Sequence, residues 1–173
     1  MDSNKRAQEI GVGMKEVINK VVVLPQVWEE TNEEGLWFSG GLQFPEFDDL
    51  QVMLQVNLGF DCNAIQSSII LHQPVPDNKI LQVDELIHAL NGWSVTGHLY
   101  RDLRNSNLVY TSGIIIRDLG FNKAEFERGL KALLGNGCEF LNFLEKQLKS
   151  KEDPNISLQR LFLKMSKRMK GLE

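Results

Sequence analysis

Apolar residues recur at three- and four-residue steps over residues 5–24. Ile10, Met14, Val17, Ile18 and Val21 are interleaved with Lys15, Glu16, Asn19 and Lys20, a period that predicts a first helix, ended by Pro25. Gly11 and Gly13 weaken its start, each costing up to about 1 kcal/mol relative to alanine. The pattern then changes. Leu36–Phe44 reads as an aromatic strand with a glycine bulge or kink at Gly40-Gly41, and Val52, Leu54, Val56 and Leu58 alternate with other residues on a second strand. A turn near Asp61-Cys62-Asn63 leads to an isoleucine-rich third strand, Ile65–His72. Short polar turns between these three predict an antiparallel meander.

Pro74, Pro76, Asp77 and Asn78 interrupt the strands, and Leu81–Leu90 predicts a second helix stopped at Asn91-Gly92. Val95–Asp102 and Asn107–Arg117 flank the turn Leu103-Arg104-Asn105-Ser106 as a hairpin. Asn122, with Glu125 three residues on, forms a capping box for a third helix bearing Phe126, Leu130, Leu133, Leu134, Leu141, Leu144 and Leu148 on one stripe. Gly135-Asn136-Gly137 lies inside that stripe, so either the helix breaks there or close packing excludes larger side chains. After a polar linker, Ser150–Asn155, the residues Leu158, Leu161, Phe162, Met165, Met169 and Leu172 form the apolar face of a final amphipathic helix over residues 156–172.

Composition adds limits. The 173 residues are 42% apolar and 24% charged, with 19 Lys plus Arg against 23 Asp plus Glu, a formal charge of -4. This is the balance of a globular domain, and mild acidity speaks against a dedicated nucleic-acid binder. The net value hides a polarity. Glu29, Glu30, Glu33, Glu34, Glu46, Asp48 and Asp49 fall together without a base, whereas Arg160, Lys164, Lys167, Arg168 and Lys170 fall together without an acid. The division expected is an α+β domain over residues 1–150, followed by a linker and basic amphipathic helix over residues 151–173.

Candidate chemistry is sparse. Cys62 and Cys138 are too far apart for a close metal or redox pair and read as free, half-buried thiols. His72, His88 and His98 share no metal-ligand spacing, and Gly11-Val12-Gly13 lacks the preceding strand and third glycine of a dinucleotide loop. The acidic segment lacks the ligand spacing of a calcium loop. No catalytic residue, metal or cofactor is therefore expected. Aromatic anchors dominate interface energetics, which singles out Trp28, Trp37, Phe38, Phe44 and Phe47 around the acidic segment as candidate contacts for a protein partner. Leu161, Phe162, Met165 and Met169 are candidates on the last helix, which either packs on the domain, docks on a partner or second subunit, or contacts a membrane surface. Neither a secretory signal nor an apolar run near the roughly 20 residues of a membrane span is visible, so the expected location is cytoplasmic.

The order helix, three strands, helix, two strands, helix, with Leu86-Ile87-His88-Ala89-Leu90-Asn91 leading into a strand containing Gly97, resembles two related groups. They are the YbjN family of candidate bacterial sensory-transduction regulators and the class I type III secretion chaperones, which share its fold. The resemblance spans about residues 5–149. It implies an α+β domain of α-βββ-α-ββ-α order, a five-stranded bent antiparallel sheet with helices on one face, frequent homodimerisation and no catalytic residues. In the chaperone group, dimers offer apolar grooves to an extended client segment. The expected function is a non-enzymatic protein-interaction module, regulator-like or chaperone-like. The alternatives are a secretion chaperone proper, or a small-ligand binder or enzyme using His72, His98, Tyr100 and Arg101 between sheet and helices.

Overall fold

The computed structural model describes residues 3–22, 28–31, 35–47, 50–59, 63–116 and 120–169. Their elements run α1 (Ser3–Val21), β1 (Trp28–Thr31), β2 (Gly35–Phe44), β3 (Leu50–Gly59), β4 (Ala64–Leu71), α2 (Ile80–Asn91), β5 (His98–Arg101), β6 (Leu108–Ile115), α3 (Lys123–Lys149) and α4 (Pro154–Met169). The α-βββ-α-ββ-α order is present, and the five expected strands are β2, β3, β4, β5 and β6. All pairings are antiparallel, in the order β1-β2-β3-β4-β6-β5. The short β1 extends the expected sheet at one edge, pairing Trp28 with Ser39 and Thr31 with Leu36. Its sequence Trp-Glu-Glu-Thr has no apolar alternation, so only the pairing with β2 identifies it as a strand.

Register explains the core. Phe38 faces Val56 across β2–β3, Val56 faces Ser67 across β3–β4, and Ile69 faces Tyr110 across β4–β6. Because successive side chains point to opposite faces, the same face collects Leu36, Leu42, Leu54, Leu58, Ile65, Leu71, Leu99 and Leu108, all buried. Burying each such side chain contributes about 1.5–3 kcal/mol. The helices α1, α2 and α3 pack on this face through Met14, Ile18, Leu90, Phe126, Leu133 and Phe140.

One helical glycine is explained by close approach. A Cβ on Gly137 would lie 2.6 Å from the Tyr110 ring and 2.5 Å from Ile69 Cδ1, whereas one on Gly11 would meet only the terminal Cδ2 of Leu36. α3 therefore runs unbroken through Gly135-Asn136-Gly137, because tight packing at Gly137 repays the loss of helical preference. Gly135 has nothing near its missing Cβ.

Helix ends are capped as the chemistry requires. Asn122 Oδ1 accepts from the Ala124 and Glu125 amides at 3.0 and 3.2 Å. At the other end of α3, Lys79 Nζ donates to the Gln147 and Leu148 carbonyls at 3.0 and 2.7 Å, placing a cation at the negative end of the helix dipole. The last helix begins at Pro154, earlier than the linker pattern implies, because proline is well suited to a first helical turn. The hairpin strands are shorter than expected: Val95 is 92% exposed and precedes β5 rather than belonging to it. Cys138 is fully buried rather than half-buried, and burial, with the nearby Glu46 charge, pushes its thiol up to about 12. Cys62 lies outside the described residues.

Candidate functional site

Among the described residues, no helix lies on the second face of the same sheet. Alternation and register place Trp37, Ser39, Gly41 and Gln43 of β2 there, with Gln51, Met53, Gln55 and Asn57 of β3. Gln66, Ser68 and Ile70 of β4 continue it, then Val109, Thr111, Gly113 and Ile115 of β6, and His98 and Tyr100 of β5. Among these described positions there is no aspartate, glutamate, lysine or arginine. A solvated sheet face is ordinarily polar, but from β2 to β6 this one is built of amides, hydroxyls and apolar groups without charge, and the register brings the first acid, Glu30 of β1, opposite Trp37 at the edge.

Its polar groups are partly held in place. Ser68 Oγ donates to Thr111 Oγ1 at 2.9 Å, Thr111 Oγ1 donates to the Ser67 carbonyl at 3.2 Å, and Gln66 Nε2 donates to Thr111 Oγ1 at 3.3 Å. Trp37 and Tyr100 border a depression of about 160 Å³ whose floor is Gln55, Asn57, Gln66 and Ser68. Burial, with the Asp102 charge beside it, raises the Tyr100 pKa, so the hydroxyl remains a hydrogen-bond donor at neutral pH. A second, more open groove of about 590 Å³ lies at the far end of β2 and β3, between Gln43, Gln51, Met53 and His72. Such a surface can take hydrogen bonds and apolar contacts without the cost of desolvating a charge.

The edges of the sheet differ from this face. At the β5 edge the Asn91 amide acts as a one-residue strand: its Oδ1 accepts from the Leu99 amide and its Nδ2 donates to the Leu99 carbonyl, both at 2.8 Å. This closes a pair of backbone groups that would otherwise invite strand addition. The asparagine at the end of α2 is thereby explained.

The sequence-selected candidates fall in four places. Trp37 is half-buried on the open face, but Phe38 is 2% exposed and belongs to the core. Phe44 and Phe47 meet edge to face at 6.3 Å beside the 3-10 turn Pro45–Phe47. Leu161, Phe162 and Met165 are half-buried where α4 rests against the helix layer. The side chains of Trp28 and Met169 lie outside the described part of the structure.

The polar residues of the small-ligand alternative do not converge. Arg101 faces the helices and grips Asp84 of α2 by two hydrogen bonds at 3.0 and 2.8 Å, which raise its pKa. His98 and Tyr100 lie on the opposite face, and His72 is exposed, its Nδ1 3.3 Å from Asn107 Nδ2. Among the described residues, no group of three His, Cys, Asp or Glu is placed to hold a metal ion. Nor is any helix among them long and apolar enough to cross a membrane.

Sequence reasoning did not single out Met53, Gln55, Ser68, Ile70 or Thr111. The signal was available in the residues between the apolar positions of β3 and β4, which are uncharged where a solvent-facing strand would carry lysine or glutamate.

No family model matches the chain, and no curated protein matches it. Solved structures do. The chain is similar to YbjN of E. coli, a candidate transcription regulator, at a TM-score of 0.56 and 14% identity, covering 78% of this chain and 89% of that one. It is also similar to an uncharacterized protein from Methanothermobacter thermautotrophicus, at 0.51 and 12% identity, over 80% of this chain and 99% of that one. A chain of the ExsC-ExsE complex aligns at 0.47 and 16% identity over 79% of this chain and 92% of that one. The resemblance to YbjN expected from element order is thus present at the level of the fold.

Proposed function

We propose that this chain is a non-enzymatic protein-interaction module, regulator-like or chaperone-like, that receives a protein partner on the open face of its sheet. One observation carries the reading: among the described residues, β2 to β6 present a helix-free face without a charged side chain, bordered by Trp37 and Tyr100, and the register places Glu30 of edge strand β1 opposite Trp37 at its margin. Partly exposed Met53, Ile70 and Ile115 supply apolar contact, and the amide and hydroxyl groups between them supply hydrogen bonds. Aromatic residues in a charge-depleted patch are the usual composition of an interface centre. The fold shared with YbjN accommodates a regulatory role of this kind, exercised in the cytoplasm as a homodimer.

The test is quantitative capture from the native host with the unmodified chain and with Gln55→Lys, which places one charge at the middle of the face. Retention of a defined protein by the first and its loss by the second is the expected result. Equal retention by both variants contradicts the assignment of the face. Size-exclusion chromatography with light scattering on the same samples reads the dimer, and a strict monomer at high micromolar concentration rules it out.

A further inference from the structure

The last helix is seated differently from the other three. α3 buries twelve of its residues, whereas in the described part of α4 only Ser157 is buried. The apolar side chains of α4 that face the domain, Leu158, Leu161, Phe162 and Met165, are all half-buried, and Ile156 and Leu163 are 46% and 60% exposed. Phe162 stacks on Trp93 with ring centroids 4.4 Å apart and planes 13° apart. Arg168 and Lys164 approach Glu139 of α3 at 3.0 and 3.9 Å. Open grooves of about 400 and 510 Å³ remain along α4, one lined by Glu46, Phe47 and Arg168, the other by Gln147 and Ser157. In the second, Gln147 is only 5% exposed and its Oε1 has no hydrogen-bond partner. A buried acceptor without a donor is costly, so the seat is not fully satisfied by its present occupant.

We infer that the seat formed by Trp93, Phe47 and the Glu139–Gln147 stretch of α3 is a docking site for an amphipathic helix with a basic flank, supplied by a partner protein in exchange for α4. α4 itself shows what the seat accepts: an apolar stripe at helical spacing with Lys164 and Arg168 toward Glu139, beside a groove that Glu46 also lines. The linker Ser150–Asp153 lets α4 leave without disturbing α3, whose end is held independently by Lys79. The few apolar contacts and exposed ion pairs of α4 make its release less costly than that of any other helix. The exchange is a helix-in-groove mode of recognition. It lies on the helix side of the molecule and stands independently of the sheet-face reading.

The test uses the full chain and a fluorescent peptide of residues 154–169. A chain carrying Leu161→Asp and Phe162→Asp, which releases its own α4, should bind the peptide at least about tenfold more tightly than the unmodified chain, whose seat is filled. Adding Glu139→Lys should reverse most of that gain, as should a peptide with Lys164→Glu and Arg168→Glu. Equal binding by the charge-reversed peptide, or no saturable binding to the released chain, overturns the proposal. A peptide-free sample that is a dimer, and that the peptide converts to monomer, assigns the seat to a second copy and overturns the partner form. Should the released chain fail to fold, hydrogen exchange on the unmodified chain decides. The amides of α4 should exchange at least about 100-fold faster than those of Leu133–Leu144 in α3, and equal protection contradicts exchange.

Discussion

The two faces of one sheet have solved different problems with the same strands. On β3, Val56 is fully buried under the helices while its neighbour Gln55 points to the open side. The covered face is closed by packing so tight that helical positions such as Gly137 admit no Cβ. Among the described residues, the open face carries no helix and, from β2 to β6, no charge, though Glu30 of β1 opposite Trp37 shows that the sheet's geometry admits one. Packing on the covered face makes the fold, which leaves the composition of the open face free to answer to other demands.

The largest effect should come from placing the same charge on each face. Val56→Lys buries an unpaired ammonium and should cost more than about 4 kcal/mol, enough to leave the chain unfolded at 25 °C. Gln55→Lys, one residue away, should change stability by less than about 0.5 kcal/mol while abolishing partner capture. Circular dichroism and urea unfolding read the first difference, and loss of the fold in Gln55→Lys would erase the distinction between the faces.

A subtler pair lies on α3. Gly137→Ala drives a methyl group into Tyr110 and Ile69 and should destabilise by about 1–3 kcal/mol. Gly135→Ala, in open space, should stabilise by up to about 1 kcal/mol through helical preference. Denaturation midpoints of the two variants moving in the same direction would contradict the packing account. At the sheet edge, Asn91→Ala uncovers the Leu99 amide and carbonyl and should cost about 1–2 kcal/mol. Light scattering should also show greater self-association through the uncovered strand.

The smallest effect concerns charge on the helix layer. Hydrogen bonds from Lys131 and Lys20 lower the Glu127 pKa from 4.5 to about 2, and the Lys20 pair joins α1 to α3. The folded value is the lower one, so this contribution is present above about pH 4.5 and is lost as pH falls toward 2. Glu127→Gln should therefore lower the melting temperature at pH 7 slightly and change it less at pH 2.5, so that the loss of thermal stability between pH 6 and pH 2.5 becomes smaller. An unchanged acid dependence would show that the pair does not hold α1 against α3.

The strands and helices of the core were legible because alternation and 3.6-residue periodicity are imposed by burial, as in Val52–Leu58 and Phe126–Leu148. Edge strand β1 was not, since Trp-Glu-Glu-Thr carries no apolar alternation and is defined by its pairing with β2. The unbroken path of α3 was undecidable from Gly135-Asn136-Gly137 alone, because the reason for Gly137 lies on β4 and β6, far away in sequence. Among the candidate contacts, aromatic character pointed equally to Trp37, on the open face, and to Phe38, in the core. One residue of register separates them. The open face itself is defined by missing charge at Gln55, Ser68 and Thr111, a signal that becomes visible only once the strands are placed side by side.

The open face is proposed to receive a protein partner. Site-specific photocrosslinking in the native host tests it most directly, with the crosslinking residue at Gln55 on the open face or at exposed Arg128 on α3. A defined protein adduct from position 55 and none from position 128 is the expected result. Adducts from position 128 with none from position 55 would contradict it.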